Sequence, residues 1–129
     1  QGVMLELSSS YFYESGSAEF KKEAIPLMEQ VAANISELEY KNFVLTVEGH
    51  TDDVAIQSDR YASNWELSAA RATRIVRFLI EKGIEPKHLR ASAYADVRPK
   101  VPNLDVKGNP IPENREQNRR IVLRIQRNG

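Results

Sequence analysis

The sequence predicts an α/β fold: a two-layer sandwich of order β-α-β-α-β-loop-β, with two main helices on one face of a four-stranded mixed sheet. Two long segments repeat apolar residues at intervals of three and four, the period of a helix with one buried face. Four short segments alternate apolar and polar residues or cluster β-branched ones, as strands do. The two kinds of segment alternate along the chain, which favours helices layered on a sheet over an all-β or all-α packing.

The elements follow in order. Residues 3–7 alternate and read as a first strand, and Ser15, Gly16 and Ser17 mark a turn. Phe20, Ala24, Leu27, Met28, Val31, Ala32, Ile35 and Leu38 then carry a helical period. Pro26 is tolerated only in a first turn, so the regular helix starts near Ile25 or a short turn breaks there. Residues 43–47 form a compact apolar run, a central strand ending at Gly49. Ser63 and Glu66 fit a capping box, and Leu67, Ala72, Ile75, Val76, Phe78 and Leu79 extend that second helix to a C-terminal cap at Gly83. Residues 89–94 read as a strand, the proline-rich stretch 97–112 as a long loop, and 121–125 as the last strand.

Composition narrows the function. The 129 residues correspond to a single domain, 1–129, and 41% hydrophobic against 28% charged residues argues against disorder. Eighteen basic residues balance eighteen acidic ones, so no net field draws the chain to nucleic acid or an anionic membrane. Without cysteine there are no disulfides, thiolate nucleophiles or cysteine-bound zinc. No apolar run approaches the ~20 residues that span a bilayer. The chain starts abruptly beside its first strand, the expectation for a fragment of a longer, membrane-anchored protein.

Chemistry concentrates between residues 49 and 74. On a wheel of about 100° per residue, Arg71 falls inside the apolar arc of the second helix, between Phe78 and Ile75. Arg74 and Arg77 fall outside it. A guanidinium on a core-facing stripe needs a partner or a cleft, because burying it unpaired is costly. It either snorkels to solvent, pairs with a carboxylate for stability, or meets a ligand. Asp52 and Asp53, just past the strand end, are its natural partners, although the same residues also suit a tight turn. A carboxylate and a guanidinium in one cleft suit a ligand that carries an ammonium and a carboxylate on one small group. His50 and His88 are the only histidines, too few for a histidine-based metal centre, and no nucleophile elbow or phosphate loop is present. Arg115, Asn118, Arg119, Arg120, Arg124 and Arg127 read best as a solvated edge of the last strand. Tyr11, Phe12 and Tyr13 read as core or rim.

Three blocks carry a family resemblance: Gly49-His50-Thr51-Asp52, then Asn64-x-x-Leu67-Ser68-x-x-Arg71-Ala72, then Asn118-Arg119-Arg120-Ile121. With the opening Phe12-Tyr13-Glu14-Ser15-Gly16-Ser17, they resemble the OmpA-like peptidoglycan-binding domain. The stretch from Ser63 through Trp65 to Ala72 is most similar to the flagellar stator branch of that family, the MotB and PomB type. The long segment between Asp52 and Asn64 points the same way, since porin-like and lipoprotein members carry a shorter one, usually with a glycine. Ala93-Tyr94-Ala95 stands where the family commonly has Gly-Tyr-Gly.

The resemblance implies a non-catalytic role without cofactor or metal: binding the meso-diaminopimelate side chain of peptidoglycan to anchor a motor stator to the wall. Asp52 would accept from the ligand's ammonium and Arg71 would bind its carboxylate. Thr51 and the backbone amide of Asp53 would orient the loop, Asn64 and Leu67 would shape the start of the helix, and Arg119 would line the rim. The resemblance further implies a homodimer, a periplasmic location, and an inner-membrane helix that meets a MotA/PomA-type channel subunit. It places a conformational change between inactive and anchored forms within residues 3–38. The alternative is a peptidoglycan-anchoring domain of an outer-membrane protein or lipoprotein unrelated to motility. An enzyme acting on wall peptides is disfavoured, because no nucleophile or metal set stands in the sequence.

Overall fold

The computed structural model describes residues 2–38 and 42–127. Strand β1 (Gly2–Ser8) passes into a single helical turn, α1 (Ser9–Phe12), whose start is pinned by the Ser9 N–H donating to the Arg119 carbonyl at 3.0 Å. A 3₁₀ turn, Lys22–Ala24, then leads into α2 (Ile25–Ser36), with Pro26 in the first turn. Proline is harmless there, since the first N–H groups of a helix have no intrahelical acceptor. Of the two readings that Pro26 allows, regular helix from Ile25 is the one adopted. Leu38, the last residue of that apolar series, lies just beyond the helix.

Strand β2 (Phe43–His50), helix α3 (Asn64–Glu81), strand β3 (Leu89–Ala93), helix α4 (Pro112–Asn118) and strand β4 (Arg120–Arg127) complete the order. The sheet runs β1-β4-β2-β3; β2 is parallel to β3, and β4 is antiparallel to both its neighbours. The expected mixed four-stranded sandwich is therefore the observed fold. The last strand is interior, however, and not an edge. Both sides of its hydrogen-bonding ladder are taken, so its arginines cannot serve to discourage edge pairing. Arg124 instead donates to Glu48 of β2 at 2.7 Å. Composition could not reveal this, because neighbours in a sheet are chosen by the packing of distant segments.

One face of the sheet packs on α2 and α3. Met28, Val31, Ala32 and Ile35 from α2 and Ala72, Ile75, Phe78 and Leu79 from α3 meet Leu45, Val47, Ile121 and Leu123 in one core. Burying each of the large aliphatic or aromatic side chains contributes about 1.5–3 kcal/mol. The ends of α3 follow from its sequence. Ser63 accepts the Trp65 N–H at 3.1 Å and its hydroxyl meets the Glu66 carboxylate, the start expected from the capping box. At the other end Gly83 takes φ 101°, while the N–H groups of Gly83 and Ile84 reach the carbonyls of Ile80 and Leu79, each at 3.0 Å. This is a Schellman closure, and only glycine adopts its left-handed residue freely.

Helix α4 is the element the sequence pattern hid. Six polar residues follow Pro112 in it without an apolar period, so nothing distinguishes them from the loop before them. The loop itself is held from inside by Asn118. Its Oδ1 accepts from Lys100 and Val101 backbone at 2.8 and 3.1 Å, and its Nδ2 donates to Val101 O and Asn103 Oδ1, both at 2.8 Å. Of the aromatic triplet, Phe12 and Tyr13 are core and Tyr11 is exposed.

Candidate ligand-binding cleft

Strand β2 and helix α3 approach so closely at one point that only glycine fits. A Cβ on Gly49 would lie 2.2 Å from the Ser68 carbonyl oxygen. That approach brings the end of β2 beside the first turns of α3, and the two sequence blocks that carry the candidate site become one surface. Beyond Gly49 the chain leaves the sheet with the Thr51 N–H donating to Ala95 O at 2.8 Å, and the Thr51 hydroxyl donates to Asp52 O at the same distance. Asp52 is 6% exposed; its Oδ1 accepts the Val54 N–H at 3.0 Å and its Oδ2 accepts from Arg119 Nη1. Asn64 closes the loop by donating from Nδ2 to Val54 O at 3.0 Å.

Arg71 is buried on the core-facing stripe of α3, as the wheel places it, at 6% exposure. Its Nε donates to Ser17 O at 2.8 Å and its Nη2 to Glu14 O at 3.2 Å, and the guanidinium stands 5.0 Å from the centre of the Tyr13 ring. The Tyr13 hydroxyl donates in turn to Arg71 O at 2.7 Å. Among the described residues no carboxylate is within ion-pair distance of Arg71. The expected pairing with Asp52 or Asp53 is not made, because both carboxylates are drawn to arginines of α4 and of the residue that caps it. Asp53 takes Arg115 in a two-pronged pair at 2.7 and 3.2 Å, and Asp52 takes Arg119. Burial holds the Arg71 guanidinium below its usual pKa, with Tyr13 opposing. Burial pushes the Tyr13 phenol well above its usual range, opposed by Arg71 and Arg74.

Arg74, placed outside the apolar arc by the wheel, is half-buried over the Phe20 ring at 4.4 Å. The long side chain folds back onto α2's approach segment, which a wheel of Cα positions does not show.

Thr51, Asp52, Asn64, Leu67, Arg71 and Arg119 together line a cleft of about 500 Å³. Asp53 is the candidate that stays off the lining, its side chain turned to Arg115. Arg119 also donates to Glu116 Oε1 at 2.6 Å. Burial would lower its pKa, but the bonds to Glu116 and Asp52 outweigh that and raise it. Ser9, Ser10, Tyr13 and Lys21 also line the cleft and have no counterpart among the sequence candidates. The one signal for it was the serine run just before the aromatic triplet. Chemically the cleft offers one buried guanidinium free of carboxylates and one carboxylate with two of its acceptor sites in use. His50 lies elsewhere, its Nε2 3.2 Å from Glu48 and its ring stacked on Tyr94. Among the described residues no cluster of His, Asp and Glu could hold a metal ion, and no helix is long and apolar enough to cross a membrane.

A family model described as the OmpA family matches residues 12–119. The chain is 36% identical over 128 residues to an uncharacterised protein of Bacillus subtilis, YtxE, covering 98% of this chain and 49% of that protein. It is 30% identical over 130 residues to Motility protein B of the same organism, covering 100% of this chain and 47% of that one. The chain thus spans about half the length of the curated relatives it matches. Among solved structures, the periplasmic domain of Helicobacter pylori MotB superposes with a TM-score of 0.84 at 31% identity, covering 100% of this chain and 85% of that one.

Proposed function

The chain belongs to the OmpA family, and from that premise we propose that it binds peptidoglycan without catalysis and anchors a flagellar motor stator to the cell wall. The observation that carries the proposal is Arg71: a buried guanidinium, bound among the described residues to backbone carbonyls and an aromatic face and to no carboxylate, on a cleft it shares with Asp52. Leaving a buried cation without a carboxylate is costly unless an anion arrives from outside. The ligand is the side chain of meso-diaminopimelate, whose carboxylate binds Arg71 and whose ammonium binds Asp52. A carboxylate has about four acceptor sites, so Asp52 can take the ammonium beside Val54 and Arg119 without giving either up. Thr51 and the Asp53 backbone set the loop, Asn64 and Leu67 form the adjoining wall, and Arg119 holds Asp52 in place from the rim.

The similarity to Motility protein B supports the stator context over a porin or lipoprotein one. In that context the domain is periplasmic and dimeric. It is joined to a membrane helix that packs with a MotA/PomA-type channel subunit, and torque acts against the wall through the Arg71 cleft.

The test is a pull-down on purified diaminopimelate-type peptidoglycan with wild type and Arg71→Ala, alongside lysine-type peptidoglycan. Binding by wild type that falls at least about tenfold in the variant and on the lysine-type wall supports the reading. Equal binding to both walls would remove the carboxylate role of Arg71.

A further inference from the structure

The cleft holds a second cation without a carboxylate. Lys21 lines the cleft together with Asp52 and Arg71, and among the described residues it forms no ion pair. It is held in place twice: its N–H donates to Phe12 O at 2.8 Å, and its ammonium donates to Ser10 O at 2.8 Å. An ammonium carries three donors, so two remain for a ligand. Beside it, Ser9 is 1% exposed, also lines the cleft, and has a hydroxyl with no partner among the described residues. A buried hydroxyl left unpaired is costly, and native proteins seldom keep one without a use.

Charge matching then defines the occupant. Of the ionised groups lining the cleft, Arg119 and Asp52 satisfy each other, which leaves Arg71 and Lys21 as cations awaiting anions. Lys21 reaches the cleft from the segment after the Ser15–Ser17 turn and Arg71 from α3, so the two cations come from different elements and present two points of attachment. A single carboxylate neutralises one of them.

Building on the wall-binding reading above, we propose that Lys21 and Ser9 form a second anion subsite. The cleft then selects stem peptides with two free carboxylates, the second being the α-carboxylate of the D-glutamate next to the diaminopimelate. Amidation of that carboxylate removes the charge that Lys21 recognises, and walls modified in this way anchor the domain weakly.

Two synthetic stem peptides containing diaminopimelate test the proposal, one with the neighbouring α-carboxylate free and one with it as the carboxamide, titrated calorimetrically into the folded domain. Wild type binds the free acid about tenfold tighter than the amide. Lys21→Gln binds both peptides as wild type binds the amide, and Lys21→Arg restores part of the preference. Ser9→Ala weakens the free acid about threefold, while its thermal midpoint stays level or rises because an unsatisfied buried hydroxyl is gone. Equal binding of the two peptides by wild type overturns the second subsite and leaves the diaminopimelate reading standing. Failure of folded wild type to bind either peptide overturns both. A fall in the thermal midpoint of Ser9→Ala makes that hydroxyl structural and removes it from the subsite.

Discussion

Asp52 and Arg71 differ in how much of each the ligand can claim. Asp52 enters the cleft already bound to Arg119 and Val54, whereas Arg71 faces no carboxylate among the described residues. Asp52→Asn keeps the shape of the side chain and its acceptor for the Val54 N–H while removing the charge. Its affinity for diaminopimelate-type wall is expected to fall about tenfold or more, with the fold retained; unchanged affinity in a sedimentation assay would exclude the ammonium contact. Arg71→Ala frees the Glu14 and Ser17 carbonyls as well as the ligand site. A loss of about 1–3 kcal/mol in chemical unfolding should therefore accompany its loss of binding, with the transition still cooperative. His50 gives a separate prediction. Its folded-state pKa is lowered, first by burial and further by Arg120 and Arg124, with Glu48 opposing. The stability tied to its neutral ring is thus complete above the unfolded value near 6.5 and declines as pH falls below that toward the folded value. The denaturant midpoint should drop between pH 7 and pH 5, and His50→Gln should flatten that slope. A parallel slope in the variant would assign the drop to the carboxylates.

The elements that shape the cleft were unevenly legible in the sequence. Helix α3 could be read from end to end because its signals are local: Ser63 and Glu66 at the start, Gly83 at the close, and an apolar stripe between. Helix α4 could not, because a short polar helix carries no period, and its stability comes from what it touches. What it touches is the site loop. Arg115 and Arg119, one helical turn apart, take Asp53 and Asp52 respectively, so an element absent from the pattern decides where the candidate carboxylate points. The meeting of β2 and α3 rests on Gly49. Gly49→Ala drives a methyl into the Ser68 carbonyl, which belongs to helix backbone and cannot swing aside. A destabilisation of roughly 1–3 kcal/mol or more is expected in denaturant unfolding, together with weaker wall binding as Asp52 and Arg71 are pushed apart. A variant as stable as wild type would mean the two elements tolerate a wider spacing.

At the scale of the whole molecule, a neutral chain carries a locally charged cleft. Eighteen acidic residues cancel eighteen basic ones overall, yet the lining sets Lys21, Arg71 and Arg119 against Asp52. On the proposed reading recognition is short-ranged, and wall affinity should decline as salt rises from about 0.05 to about 0.5 M, since an open cleft is partly screened. Salt-insensitive binding would point to apolar contacts instead. The sequence by itself determined the sandwich class, the main helices and their caps, the central strand, and Arg71 as a cation on an apolar stripe. These depend on periodicity and end signals, which act over a few neighbouring residues. Only the tertiary structure decided that β4 is interior, that Asp52 and Asp53 answer to α4 and not to Arg71, and that Ser9 and Lys21 complete the cleft. Each of those is a contact between segments far apart in the chain, chosen by packing and by competition among several arginines for two carboxylates, and no local pattern records the outcome of that competition.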